Sequence, residues 1–169
     1  MNREEEYILR SWARDSGIKL SGTQVHRIGI HLDELWRWNK RINLTGLSSR
    51  KGIIRELIID SLIPSTFLPE MCGVLDVGSG AGFPAIPLKI CRADLSFHLM
   101  EANSKKVSFL RQVIRLTMLQ GIAVVRGRIE KNKDLLDPEG YPVITARALA
   151  YLPQTLSWCA SCLMAGGMI

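Results

Sequence analysis

This sequence predicts an α/β fold: a doubly wound, mostly parallel, Rossmann-like sheet preceded by an N-terminal helical extension. Three observations carry the expectation. The run Val74-Leu75-Asp76-Val77 passes directly into Gly78-Ser79-Gly80-Ala81-Gly82 and then into a helix-like segment. From Gly73 onward strand-like and helix-like runs alternate, and residues before about 70 show only helical spacing. Strands separated by helices pair in parallel through right-handed crossovers, and such sheets take their ligands at the carboxyl ends of the strands.

Taken in order, Ser21-Gly22-Thr23-Gln24 has the form of a capping box, after which Val25, Ile28, Leu32, Leu35 and Trp36 recur on one helical face. Ile53, Ile54, Leu57, Ile58 and Leu62 predict a further helix stopped by Pro64. Strands are expected at 74–77, 95–100, 122–125 and 142–146. Helices are expected from about 83, over 104–119 and from about 152. Val107, Leu110, Ile114 and Met118 make the buried stripe of the second of these, and Pro84, with its φ preset, suits the opening turn of the first. Two units follow, a helical extension over 1–70 and a ligand-binding domain over 71–169. Ala165-Gly166-Gly167-Met168-Ile169 reads as the first residues of a fifth strand, so the C-terminal strands of such a sheet are expected to be missing.

Gly78, Gly80 and Gly82 accept positive φ and put no Cβ in a ligand's way. The dinucleotide fingerprint G-x-G-x-x-G/A would require a small residue at position 83, where Phe83 stands, which argues against a pyrophosphate on this turn. Asp76 through Gly82, D-V-G-S-G-A-G, instead resembles the first motif of S-adenosylmethionine-dependent methyltransferases. That likeness implies S-adenosyl-L-methionine as cofactor, its methionine end along the glycine backbone. Glu101 closes the strand-like run Leu95–Met100 and is placed to accept both ribose hydroxyls. In methyltransferases of this class the residues after the third strand face the adenine, which makes Ile129 and Glu130 the candidates on that side.

Composition narrows the classes. No apolar run approaches the roughly 20 residues of a membrane helix, and Met1-Asn2-Arg3-Glu4-Glu5-Glu6 lacks the basic-then-apolar layout of a signal peptide. A cytoplasmic protein with no membrane partner is expected. Cys72, Cys91, Cys159 and Cys162 are irregularly spaced, which suits reduced core cysteines. Trp158-Cys159-Ala160-Ser161-Cys162 looks like a redox W-C-x-x-C, but that motif opens a helix and this one lies deep in a helix-like run. No metal site is predicted. The formal net charge of +6 points toward a polyanionic partner. The cations gather at Arg37, Lys40 and Arg41, at Arg50, Lys51 and Arg55, and at Lys105, Lys106, Arg111, Arg115, Arg126 and Arg128.

Five segments, in order over roughly residues 36–150, together carry a family resemblance. They are Trp38-Asn39-Lys40-Arg41-Ile42-Asn43-Leu44-Thr45, Asp60-Ser61, Asp76 through Leu88, Lys105 through Arg111, and Ala146-Arg147-Ala148. They resemble the bacterial 16S ribosomal RNA guanine-N7 methyltransferases, RsmG or glucose-inhibited division protein B. The resemblance implies a class I methyltransferase sheet and methyl transfer to N7 of one guanine in the decoding-region loop. The partner would be 16S ribosomal RNA or the small-subunit ribosomal particle, and the protein a monomer. By position, Gly78, Phe83, Ile129, Glu130 and Arg147 are implied as cofactor contacts, joining Asp76, Gly80, Gly82 and Glu101 from the motifs above. Asn43, Lys105, Arg128 and Arg147 are implied around the RNA entrance. Leu57 stands where members of the family often have His, and the basic residue they carry after the fifth strand lies beyond this chain.

Guanine N7 carries a free lone pair at neutral pH, so its methylation needs no general base, only alignment of N7, methyl carbon and sulfur. No catalytic acid or base is therefore assigned. Arg147 is the candidate for orienting guanine O6 or the methionine carboxylate. Two other classes stay open: a methyltransferase of similar fold acting on protein or a small molecule, and a cofactor-binding fragment without turnover.

Overall fold

A computed structural model describes residues 1–169. It opens with α1 (Arg3–Asp15) and α2 (Gly22–Asn39), each begun by a reciprocal capping box, Asn2 with Glu5 and Ser21 with Gln24. Each box satisfies two backbone N–H groups that a helix start would otherwise strand. Glu5 is shared: Arg50 Nε reaches its Oε1 at 2.6 Å, and Arg50 Nη2 reaches Asp33 Oδ1 at 2.5 Å. The Arg50 guanidinium holds the Glu5 carboxyl below its ordinary value, against the opposing effect of burial.

The helical run that follows is not one helix. It comprises α3 (Arg50–Ile53), a π turn over Ile54–Ile59, α4 (Asp60–Leu62) and a 3-10 turn over Ile63–Thr66. The wider π turn shifts the helical phase. Ile53, Ile54, Ile58, Ile59 and Leu62 are buried in consequence, while Leu57 is half-buried. Pro64 lies inside the closing 3-10 turn.

Five strands follow: β1 (Gly73–Val77), β2 (Ser96–Glu101), β3 (Ile122–Arg126), β4 (Tyr141–Ala146) and β5 (Leu163–Met168). All pair in parallel in the order β3-β2-β1-β4-β5. Between them run α5 (Ala85–Cys91), α6 (Ser104–Thr117) and α7 (Leu152–Ala160). Alternation along each strand divides the core in two. Val74, Phe97, Leu99 and Val143 pack with α1, α2, α5 and α6, so the helical extension shares one core with a whole face of the sheet. Leu75, Val77, Met100 and Ile144 face the other way, toward Cys159 and Cys162.

Four sequence expectations are corrected. The fifth strand starts two residues earlier than expected, running Leu163–Met168 and pairing Tyr141 with Leu163 and Val143 with Met168 across a register shift; Gly166 and Gly167 sit at that irregularity, which is why the run reads weakly as a strand. Met118 is not part of the α6 stripe: it ends the helix in the left-handed region at φ +51° and is exposed, while Val113 and Thr117 are buried instead. Pro84 precedes α5 as its capping residue rather than standing in its first turn. Cys159 stands in the last turn of α7, one residue before its end, and Cys162 lies just beyond; both are free and buried, and burial pushes the Cys159 thiol up. No helix is long and apolar enough to cross a membrane.

Candidate functional site

The chain leaves β1 through Gly78, Gly80 and Gly82 at φ of +74°, +55° and +84°, a region that costs any residue with a Cβ about 1–2 kcal/mol. Backbone hydrogen bonds hold the turn against β2: the N–H groups of Gly78 and Ser79 donate to the Met100 carbonyl at 2.8 and 3.1 Å. Glu101 is locked beside it. Its Oε2 accepts the Gly80 N–H at 2.9 Å and its Oε1 the Asn103 N–H at 2.8 Å. A carboxylate accepts about four hydrogen bonds, so two lone-pair positions remain for a ligand that presents paired hydroxyls.

A cavity of about 280 Å³ opens above this turn. Val77, Met100, Ile129, Leu149 and Trp158 make an apolar wall, and Glu101, Lys106, Arg128 and Glu130 supply polar groups. Ligand pockets usually span roughly 300–1,000 Å³. This one is small because Leu149 lies over Gly78, its Cδ1 only 2.6 Å from where a Cβ at that position would stand.

Gly78, Glu101, Arg128, Ile129 and Glu130 thus converge in one cavity, and Gly80 stands directly behind it with its N–H on Glu101. The other candidates lie elsewhere. Asp76 faces the opposite side of the sheet, where its Oδ1 accepts the Thr145 hydroxyl at 2.7 Å and its buried Oδ2 has no partner. Gly82 and Phe83 face the larger core instead: a Cβ on Gly82 would fall into the Ile86 side chain of α5, and the Phe83 ring stacks on His31 of α2 at 4.8 Å. Arg147 is outside the cavity, with Nη1 3.1 Å from Asp60 Oδ2 and Nη2 donating to the Glu56 carbonyl at 2.9 Å. Lys105 lines a neighbouring groove, and Asn43 is exposed beside it in sequence.

Sequence reasoning missed Leu149, Trp158, Lys106 and His31. The Trp158–Cys162 segment is read for its cysteines, although Trp158 is the residue of that run that lines the cavity. In the Trp38–Thr45 segment, Asn39 is structural: its Oδ1 accepts the N–H groups of Leu44 and Thr45 at 2.8 and 3.0 Å, and its Nδ2 donates to the Thr45 carbonyl at 3.0 Å.

His31 and Asp76 bracket the glycine turn with opposite titrations. His31 is buried, its Nε2–H donates to the Ala81 carbonyl at 2.8 Å, and burial lowers the imidazole to about 4 from 6.5. Burial likewise pushes the Asp76 carboxyl up to about 6 from 3.8. Stability that rests on neutral His31 is complete above pH 6.5 and is lost as pH falls toward 4. The penalty of ionised Asp76 is complete above pH 6 and is relieved over nearly the same fall. Each amounts to about 3 kcal/mol, so the pair nearly cancels in the native protein. In urea titrations between pH 4 and 6.5, Asp76→Asn should show a steeper acid loss than the native protein and His31→Phe a gain. Curves parallel to the native one would show that neither group titrates differently on folding.

The family model of rRNA small subunit methyltransferase G, GidB, matches residues 24–169. The chain is 39% identical to the ribosomal RNA small subunit methyltransferase G of Neisseria meningitidis serogroup A over 170 residues, 99% of this chain and 78% of that protein. It is 41% identical to the protein of the same name from Chloroflexus aggregans over 171 residues, 100% of this chain and 72% of that one. Among solved structures, a Plasmodium falciparum protein in complex with S-adenosyl-L-homocysteine superposes with a TM-score of 0.62 at 16% identity, covering 98% of this chain and 82% of that one. The Podospora anserina methyltransferase PaMTH1 gives 0.57 at 18% identity, covering 82% and 60%. At such identities the structural likeness concerns the fold.

Proposed function

This chain belongs to the GidB family, rRNA small subunit methyltransferase G, and from that premise we propose that it methylates N7 of a guanine in the decoding-region loop of 16S ribosomal RNA. The observation that carries the reading is the meeting of the positive-φ glycine turn, Glu101 and the Ile129-Glu130 segment in one cavity at the carboxyl ends of β1, β2 and β3. These residues fit S-adenosyl-L-methionine, which supplies a methyl carbon activated by its sulfonium. Glu101 is assigned to the ribose hydroxyls through its free lone pairs. Met100, Ile129 and Trp158 form the apolar slot for the adenine, with Glu130 at its edge. The backbone of Gly78 takes the methionine end once Leu149 gives way.

The base needs no proton removed from N7, so the protein's task is alignment and exclusion of water. Arg147, pinned by Asp60 and Glu56 at the end of β4, is assigned to the guanine side as a positioning group. Residues 1–70 are taken as an extension packed on a methyltransferase domain over 71–169, and the protein as a cytoplasmic monomer acting on 16S ribosomal RNA or the small-subunit particle.

Small-subunit RNA from cells lacking the protein should lose one 7-methylguanosine, read by nucleoside mass spectrometry, and the purified protein should restore it. Labelled-methyl transfer to naked RNA and to particles identifies the substrate. An unchanged nucleoside profile would overturn the proposal.

A further inference from the structure

The start of α6 divides two concavities. Lys106 lines the cavity just described, while the adjacent Lys105 lines a separate groove of about 540 Å³ shared with Arg37, Arg41, Trp38 and Ile42. Arg37, Arg41 and Lys105 are all exposed. No carboxylate lines the groove. Arg37 is engaged by Glu34 at 2.5 Å, but neither Arg41 nor Lys105 makes an ion pair. The floor is firm, because Trp38 packs edge-on against buried Phe109 at a centroid distance of 5.8 Å.

We propose that this groove is a dock for the phosphate backbone of an RNA strand and directs that strand to the neighbouring cavity. The inference rests on the RNA reading above and extends it to a surface that the motifs do not assign as a unit. Charge complementarity selects the occupant: two unpaired cations and a third shared one converge on a concave, carboxylate-free surface. Consecutive lysines place that surface one residue from the cofactor cavity. A strand of phosphates released from its counterions binds such a surface, and its affinity falls with salt in proportion to the contacts made.

The test uses the whole chain and a labelled hairpin copying the decoding-region loop. Its dissociation constant is measured against salt for the native protein, Arg41→Ala, Arg41→Glu and Arg41→Ala/Lys105→Ala, with calorimetry of S-adenosyl-L-methionine beside it. Each cation removed should weaken RNA binding several-fold and flatten the log–log salt dependence by about 0.7–0.9, and Arg41→Glu should weaken it further. Cofactor affinity should not move, and Arg14→Ala, an exposed cation outside the groove, should bind RNA as the native chain does. Native affinity and salt slope in the Arg41 variants would overturn the dock, as would equal weakening of cofactor binding or equally tight binding of polyglutamate. If the variants lose RNA but the native protein forms no 7-methylguanosine, the dock stands and the methyl-acceptor reading fails. If methylation occurs and the variants keep native RNA affinity, the reverse holds.

Discussion

Glu101→Ala is expected to weaken S-adenosyl-L-methionine binding by about 100-fold, close to 3 kcal/mol, in a calorimetric titration. Two charge-assisted hydrogen bonds to the ribose would be lost together. The substitution also strips the Gly80 and Asn103 N–H groups of their acceptor, which loosens the turn proposed to carry the methionine end. Asn103 is exposed and Gly80 only half-buried, so water takes over much of that role and the melting temperature should fall only slightly. Glu101→Gln keeps one carbonyl acceptor and should lie between Ala and the native residue. Retention of affinity within threefold by Glu101→Ala would remove the ribose from this carboxylate.

Gly82→Ala is expected to cost about 2–5 kcal/mol of stability in urea denaturation. Two costs combine: the left-handed backbone, at φ +84°, contributes about 1–2 kcal/mol, and overpacking contributes about 1–3 kcal/mol. The new methyl would meet Ile86 Cγ1 at 2.9 Å and Leu110 Cδ2 at 3.2 Å, both in the buried core. Gly78→Ala pays the same backbone cost, yet its close neighbour is the end of the half-buried Leu149 side chain, which can swing away. That variant should lose about 1–2 kcal/mol of stability while losing cofactor affinity. Gly22→Ala is the control: it has ordinary φ and open space at the start of α2, and no loss is expected there. Equal destabilisation by the Gly78 and Gly82 variants would contradict the packing contrast between the two ends of the turn.

The parts of the site legible in the sequence are those whose requirement is local. Positive φ demands glycine, so the turn announced itself at 78, 80 and 82. The end of an apolar strand-like run placed Glu101 at the tip of β2, and the methyltransferase likeness, not a local requirement, singled out Ile129 and Glu130 after β3. Leu149 and Trp158 carry no such mark, because they reach the cavity only through the crossover that returns α7 to the sheet. The Arg147–Asp60 pair is hidden for the same reason, since its two halves lie on different elements far apart in the chain. Met118 misled because it continues the apolar spacing of α6 while its backbone has already turned left-handed, a stop that glycine usually signals. The π turn at Ile54–Ile59 shifted burial away from Leu57, a change of phase that regular helical spacing does not anticipate.

The Asn39 clamp alters what its surrounding string of letters certifies. Three hydrogen bonds close the Leu44-Thr45 turn on that one side chain, and its loss would strand backbone groups whatever the chain acts upon. The partners at positions 44 and 45 are backbone groups, so the closed turn requires Asn39 itself and not the Leu44 or Thr45 side chain, even in a chain that does not handle nucleic acid. Arg41 and Ile42, between Asn39 and the turn it closes, line the groove together with Trp38. The closed turn and the basic groove therefore make separate demands on neighbouring residues, and a chain could keep the first while losing the second.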